Sequence, residues 1–410
     1  MSRFQDLVAF HDRQELSVGH RALIVGGGIG GLAAALACHR AGAEVALYER
    51  FATFNEVGAG IQLGPNVTKV LYDWGLQGAL AARLAFPQRL QVRSAISGAE
   101  LGVLRLGDTA VQRYGWPYAT VHRADLHAVL LASLRQHSAV QFHLDSQVTG
   151  FLQGEQGVTL HTTEGRTEQG DLLVGADGLW SGVRQQLLND GEPQVTGHLA
   201  YRALVRQSDL SEPLRSQQVT VWLGPALHVV QYPVRGGEWL NVVAVVQGHM
   251  YGDAQYWDHS ASAADLRRRL NAVCTPLQDL IGAIQPWRLW ALSVRAPMRG
   301  AHEQAQGRVA LLGDAAHPML PYLAQGAGMA IEDACALGRA LAKAGSSELT
   351  EALAYYAAQR WQRNARVQTR ATRNGQIFHA RGLVRWGRDL SMKVLGERVL
   401  DVPWLYRGVS

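Results

Sequence analysis

The chain has 410 residues, 47% hydrophobic and 18% charged, enough apolar material for a large core over two to three domains, which excludes a disordered or fibrous class. Its net charge of +5 and pI near 9.2 admit anionic partners, but no nucleic-acid module or aromatic-interleaved basic patch accompanies them, so no nucleic acid is expected. Three cysteines, Cys38, Cys274 and Cys335, are widely separated and lack CxxC spacing, which points to a reducing compartment and to no metal site.

Arg3, Asp6, Asp12, Arg13 and Glu15 interrupt what would be the apolar part of a signal peptide, so a cytoplasmic protein is expected. The longest uncharged stretch, Ala22 to Cys38, is glycine-rich and short for a bilayer span, so no membrane helix is expected. Arg21–Val25 reads as a strand, Leu32–Ala41 as a helix closed by Gly42, and Glu44–Tyr48 as a second strand ending at Glu49 and Arg50. Gly26, Gly28 and Gly31 form G-x-G-x-x-G in the turn of this βαβ unit. There the glycines permit the tight turn, the approach of a pyrophosphate to backbone N–H groups and close helix–strand packing. Glu49, 18 residues after Gly31, stands where the motif bonds a ribose, the alternative being an ordinary exposed acid.

Farther on, Val67–Trp74 reads as a helix, followed by a less regular region leading to Tyr114-Gly115-Trp116-Pro117. A helix after His122-Arg123 carries Leu126, Val129, Leu130 and Leu134 on one face. Short strands fill 141–176, and 218–246 reads as a β-meander turning at Gly236-Gly237, the core of a second domain. Arg308–Leu312 is a buried strand, and a helix over Ala327–Ala342 is opened by Gly326 and Gly328. Its bare N–H groups suit the edge of a ring that gains negative charge, or simply cap a packed helix. A long polar helix spans 351–374, and the arginines from Arg360 to Arg388 are expected on a solvated or subunit-facing surface. The last segment, with Trp386, Pro403-Trp404 and Tyr406, covers either the core or a subunit interface, which leaves a homodimer open.

Three motifs in order resemble the flavoprotein aromatic hydroxylases, the single-component FAD monooxygenases, over nearly the whole chain: the early glycine turn, Gly175-Ala176-Asp177-Gly178 with Ser181 and Val183-Arg184, and Gly313-Asp314. The resemblance implies an α/β fold: a Rossmann-like FAD-binding domain (18–80, 105–190, 285–375), an inserted β-sheet substrate domain (81–104, 191–284) and a C-terminal helical segment (376–410). It implies that FAD is held by Gly26, Gly28, Ile29, Gly30, Gly31, Glu49, Arg50, Gln62, Arg123, Val148, Asp177, Asp314, Gly326, Ala327 and Gly328. No second dinucleotide fingerprint is present, so NADH or NADPH is expected as a transient co-substrate, with O2 consumed through a C4a-hydroperoxyflavin.

Residues 222–241 look most like the 3-hydroxybenzoate 6-hydroxylases and their salicylate-hydroxylating relatives. The likeness implies a small phenolic acid substrate touched by Gln62, His228, Tyr232 and Pro321, with His228 and Tyr232 catalytic. A phenolate attacks electrophilic oxygen better than a phenol, and imidazole is suited to take the phenolic proton. Read without the resemblance, His228 is a lone strand histidine and Tyr232 a core aromatic. Gln62 stands where hydroxynicotinate-hydroxylating relatives carry histidine, which favours a benzenoid ring, and Pro321 stands where the best-matching enzymes carry glutamine. The alternative is a flavin monooxygenase acting on a hydroxynicotinate, urate or polyketide-like molecule. His317 reads as structural, with no ligand cluster around it.

Overall fold

The computed structural model describes residues 19–54, 59–248, 259–270, 273–344 and 348–408. The charged segment before residue 19, expected to be no signal peptide, and Gly58 of the glycine-rich loop lie outside the described residues.

Two large sheets organise the chain. The first runs, in spatial order, Ala305–Gln306, Val309–Leu311, Leu172–Gly175, Arg21–Val25, Glu44–Tyr48 and Val140–His143, with only the Ala305–Gln306 edge antiparallel. Its central strands, Leu172–Gly175, Arg21–Val25 and Glu44–Tyr48, are apolar after their first residues because both faces are covered, as a parallel sheet requires, while the edge strands carry Gln141, His143 and Gln306. Ala22, Ile24, Val45, Leu47 and Val174 pack under the helices Ile29–Arg40, Arg123–Leu134 and Gly326–Lys343. Leu23, Val25, Ala46 and Leu173 pack under the antiparallel meander Val148–Gln153, Val158–Thr162 and Thr167–Gly170.

The second sheet has eight strands in the order His259–Ala261, Trp287–Val294, Gln194–Arg206, Trp239–Gln247, Leu227–Val234, Val219–Gly224, Arg89–Ser94 and Glu100–Arg105. The expected meander is its centre, and the region expected to be irregular before Tyr114 supplies its last two strands and a helix, Gly107–Tyr114. Strand Arg89–Ser94 alternates polar with apolar residues as a half-buried strand does, and what a sequence reading does not give is its parallel pairing with the distant Val219–Gly224. One face of this sheet packs on the helices Ala263–Leu270 and Thr275–Gly282 through Leu199, Tyr201, Val229, Val242 and Ala244. Residues of the opposite parity, including Arg202, His228, Tyr232 and Asn241, lie on the other face. That face meets the first body: Asn241 Oδ1 accepts the Gly60 N–H at 2.7 Å, and Tyr322 and Phe378 close over His228.

The long helix runs from Leu349 to Phe378, so a boundary at 376 would cut through it. The arginine run is corrected in part by its packing, since Arg366, Arg373 and Arg381 are exposed as expected. Arg360 is fully buried, Arg363 and Arg388 are largely covered, and Arg381 and Arg385 belong to the next helix, Gly382–Leu395, or its cap. The C-terminal end does two things: Leu405 is buried against Met329 and Val367, while Leu383, Trp386, Leu390 and Val394 face outward. No helix among the described residues is long and apolar enough to cross a membrane.

Candidate active site

At the carboxyl ends of the parallel strands lies an elongated groove of about 490 Å3, the place where open α/β sheets bind ligands. One end is built by the early glycine turn. Gly26 has φ +105°, and a Cβ there would lie 2.5 Å from the Ala176 carbonyl oxygen. A Cβ on Gly31 would sit 1.8 Å from the Gly26 oxygen, so helix and strand meet here backbone to backbone. Gly28 caps the helix Ile29–Arg40 with no side-chain hydrogen bond, which leaves its first N–H groups facing the groove.

Two side chains brace that turn. Glu49 accepts the N–H of Gly27 at 2.6 Å and that of Phe51 at 3.0 Å. His127, unnoticed in the sequence because it stands in an ordinary helix, donates Nε2–H to the Gly27 carbonyl at 2.7 Å. Arg50 and Val148 line the same end. Asp177 is held by Ser181 Oγ at 2.5 Å and the Val183 N–H at 3.2 Å, and burial raises its pKa. It therefore takes a first-turn N–H of the helix Gly182–Leu188, whose N-cap is Ser181, while lining the groove.

The other end is lined by Arg123, Arg202, Gly313, Asp314, Gly326 and Ala327. Asp314 is exposed into the groove on a turn that Gly313, at φ +61°, allows. The helix Gly326–Lys343 also opens without a side-chain cap, so two bare helix starts point into one groove from sequence positions nearly 300 residues apart. Gly328 lies one turn in, close against Val67.

A buried ionic network fixes this second end. Asp333 accepts the Gly313 N–H at 3.2 Å and pairs with His317. Arg360 bonds Asp333 at 2.6 Å and Glu332 at 2.9 Å, and Arg363 and Asn66 bond Glu332 at 2.7 Å each. Burial pushes both carboxyls up, but Arg360, Arg363 and His317 outweigh it and hold Glu332 and Asp333 below the usual carboxylate range. His317 thus does face a carboxylate, one that only the fold brings to it.

Of the four residues expected at the substrate, none lines the groove itself. Gln62 is buried and accepts the Tyr118 hydroxyl, with Tyr232 beside it. Burial raises the Tyr232 hydroxyl, and Arg202 and Gln62 partly offset this. Pro321 opens a 3-10 turn and is exposed, and Tyr322 after it turns inward, its ring centroid 5.0 Å from that of His228. His228 is 2% exposed, and its Nδ1 lies 2.8 Å from Nε2 of His379. Burial, then His379 and His198, push its pKa well below the ordinary imidazole value, so His228 is neutral rather than poised near 6.5. Arg202 joins the two regions: it lines the groove, shares the sheet face of His228 and Tyr232, and stacks 3.8 Å over Trp290. A sequence reading had no motif by which to find Arg202, Tyr322 or His379.

A groove with two uncapped helix starts, a brace for a ribose-side carboxylate and an exposed aspartate fits a long dinucleotide lying between them, and FAD has that shape and charge. The family model described as FAD binding domain matches residues 20–371, and the chain belongs to that family, the flavoprotein monooxygenases. It is 38% identical over 386 residues to the 3-hydroxybenzoate 6-hydroxylase of Polaromonas naphthalenivorans strain CJ2, covering 94% of this chain and 95% of the relative. Klebsiella pneumoniae HpxO, solved with FAD and uric acid, superposes with a TM-score of 0.82 at 27% identity, covering 93% of this chain and 94% of that one. A salicylate hydroxylase substrate complex superposes with a TM-score of 0.80 at 26% identity, covering 95% and 96%.

Proposed function

We propose that the chain hydroxylates a small phenolic carboxylic acid, of the 3-hydroxybenzoate or salicylate type, with FAD bound in the groove and NAD(P)H and O2 as co-substrates. The observation that carries this reading is the convergence of Arg202, Tyr232 and His228 on one sheet face, with Arg202 also lining the groove. A guanidinium is the group that recognises a planar carboxylate, and an imidazole is the group that removes a phenolic proton.

Gly26, Gly28, Ile29, Gly30 and Gly31 would receive the pyrophosphate, Glu49, Arg50 and Val148 the adenosine side, and Asp177, Arg123 and Asp314 the stretch towards the ring. The N–H groups of Gly326, Ala327 and Gly328 would face the ring edge that becomes negative on reduction. Bound FAD would supply the redox chemistry, taking electrons from NAD(P)H and delivering an electrophilic oxygen atom from O2. The protein's own residues then have three tasks: Arg202 orients the acid, His228 takes the phenolic proton, and Tyr118, Gln62 and Tyr232 pack one wall and keep water out. A phenolate beside His228 also compensates its charge once it is protonated, which its neutral resting state requires.

The test is substrate-stimulated NADH oxidation, with product identification, across 3-hydroxybenzoate, salicylate, 4-hydroxybenzoate, 6-hydroxynicotinate and urate. Stimulation and a dihydroxybenzoate product with one of the first three is expected. Background rates with all three, whatever the heterocycles do, would overturn the phenolic-acid reading.

A further inference from the structure

The helix Gly382–Leu395 is apolar on two faces, and only one of them has a partner in the chain. Its inner face is fixed. Met392 packs with Val92, Leu101 and Leu223, and Arg388 donates to the carbonyls of Ile377 and Phe378 at 3.1 and 2.7 Å. Its outer face is Leu383, Val384, Trp386, Leu390, Val394 and Leu395, which are 49–89% exposed. The inner contacts prevent the helix from rolling to hide these side chains. Among the described residues, every other exposed large apolar side chain stands alone in its strand, helix or loop. The six together expose roughly 700–800 Å2, more than monomers ordinarily leave open and about what each partner gives to a standard protein interface.

The order of residues says what fits this face. Leu383, Gly387, Leu390 and Val394 follow one another at spacings of four, three and four, a pattern that reads the same in either direction. Two such helices laid antiparallel, with their twofold axis level with Asp389, bring Leu383 opposite the partner's Val394 and Gly387 opposite the partner's Leu390. On one flank Val384 meets the partner's Leu395. On the other, Trp386 meets the partner's Lys393, a cation over an indole ring. Every exposed apolar side chain of the helix thus finds a partner in its own copy. Gly387 points the same way: a Cβ there would meet no atom within 4 Å, so one chain gives no reason for a helix-weakening glycine, whereas a second helix crossing at that point does.

We propose that two copies of the chain join through this face, their Gly382–Leu395 helices antiparallel about a twofold axis. Charge favours a second copy over a lipid surface. A helix lying on a membrane carries basic residues along its polar side, but here Arg388 is buried inward and Arg385 is half covered, leaving Lys393 as the helix's one exposed cation. The joint also lies close to the candidate active site. Phe378, whose carbonyl Arg388 holds, has its ring 5.5 Å from that of His228, so the second copy stands one layer behind that wall.

The experiment is sedimentation equilibrium of the FAD-loaded protein at micromolar concentration without detergent. The unaltered chain is expected at twice its mass of 44.7 kDa. Leu390→Glu, which sets two carboxylates against each other near the axis, is expected at 44.7 kDa with its flavin content unchanged. Cysteine variants read the geometry, with the unaltered chain as the blank. Under mild oxidation Leu390→Cys, displaced from its own copy by about 3 Å along the helix, should cross-link, and Leu383→Cys, displaced by about 18 Å, should not. A monomeric unaltered chain overturns the proposal, and if that monomer sediments with phosphatidylglycerol vesicles the face belongs to a membrane surface instead. A dimer that survives Leu390→Glu overturns it as well, because the copies then meet elsewhere. Cross-linking at Leu383→Cys but not at Leu390→Cys overturns the antiparallel pairing. Should Leu390→Glu lose its flavin, the cysteine pair decides.

Discussion

Arg202 is the residue on which substrate selection turns. Its guanidinium sits over the Trp290 ring, 3.8 Å from the centroid, and reaches the groove, so it is already oriented and loses little freedom when a carboxylate arrives. A charge-assisted hydrogen bond is worth about 1.5–3 kcal/mol, so Arg202→Gln should raise Kd for the productive acid roughly 10- to 150-fold with FAD retained. Equilibrium titration of flavin absorbance checks this, and an unchanged Kd would remove Arg202 from acid recognition. Residues of this kind explain what sequence reading reaches. The roles of Gly26 and Gly31 are legible because backbone collisions dictate glycine within a short span. Arg202 and His379 are not, because each acquires meaning only when strands and a helix far apart in sequence are brought onto one face.

Among elements, the long helix Leu349–Phe378 does the most positioning. From sequence it is merely polar and arginine-rich, which fits a solvated surface. In the fold Arg360 and Arg363 turn inward, while Arg366 and Arg373 stay exposed, because two adjacent carboxylates, Glu332 and Asp333, lie on the facing helix, and buried charges persist only when paired. Arg360→Met would take the shared cation from both carboxylates, leaving Glu332 to Arg363 and Asp333 to His317, and breaking such a buried set typically costs about 3–5 kcal/mol. Lower thermal stability is expected together with weaker FAD retention, since Asp333 also holds the Gly313 N–H. Calorimetry and flavin content read the two effects, and a variant as stable as the parent would show that the network is not holding the helix.

At the scale of the molecule, the buried titratable groups set the response to acid. His228 and His379 are depressed by burial, Glu332 by Arg360 and Arg363, and Asp333 by His317 and Arg360, so each is more protonated in the unfolded chain. Their contribution is full above the unfolded pKa and is lost as pH falls. Stability should therefore decline in two stages, the first below about 6.5 as the histidines take up protons on unfolding and the second below about 4 with the carboxyls. Denaturant titrations across that range check it, and a flat profile between about pH 7 and 4 would contradict the buried neutral histidines.

Strand order also sets the timing of assembly. Arg21–Val25 pairs with Leu172–Gly175, which pairs with Val309–Leu311, and the groove is walled by Gly26 on one side and by Gly313 and Gly326 on the other. A ribosome therefore delivers the first half of the cofactor's seat early and the second half only when most of the chain has emerged. Flavin capture becomes a late event in biogenesis, and a yellow molecule is one whose synthesis ran at least through its long helix.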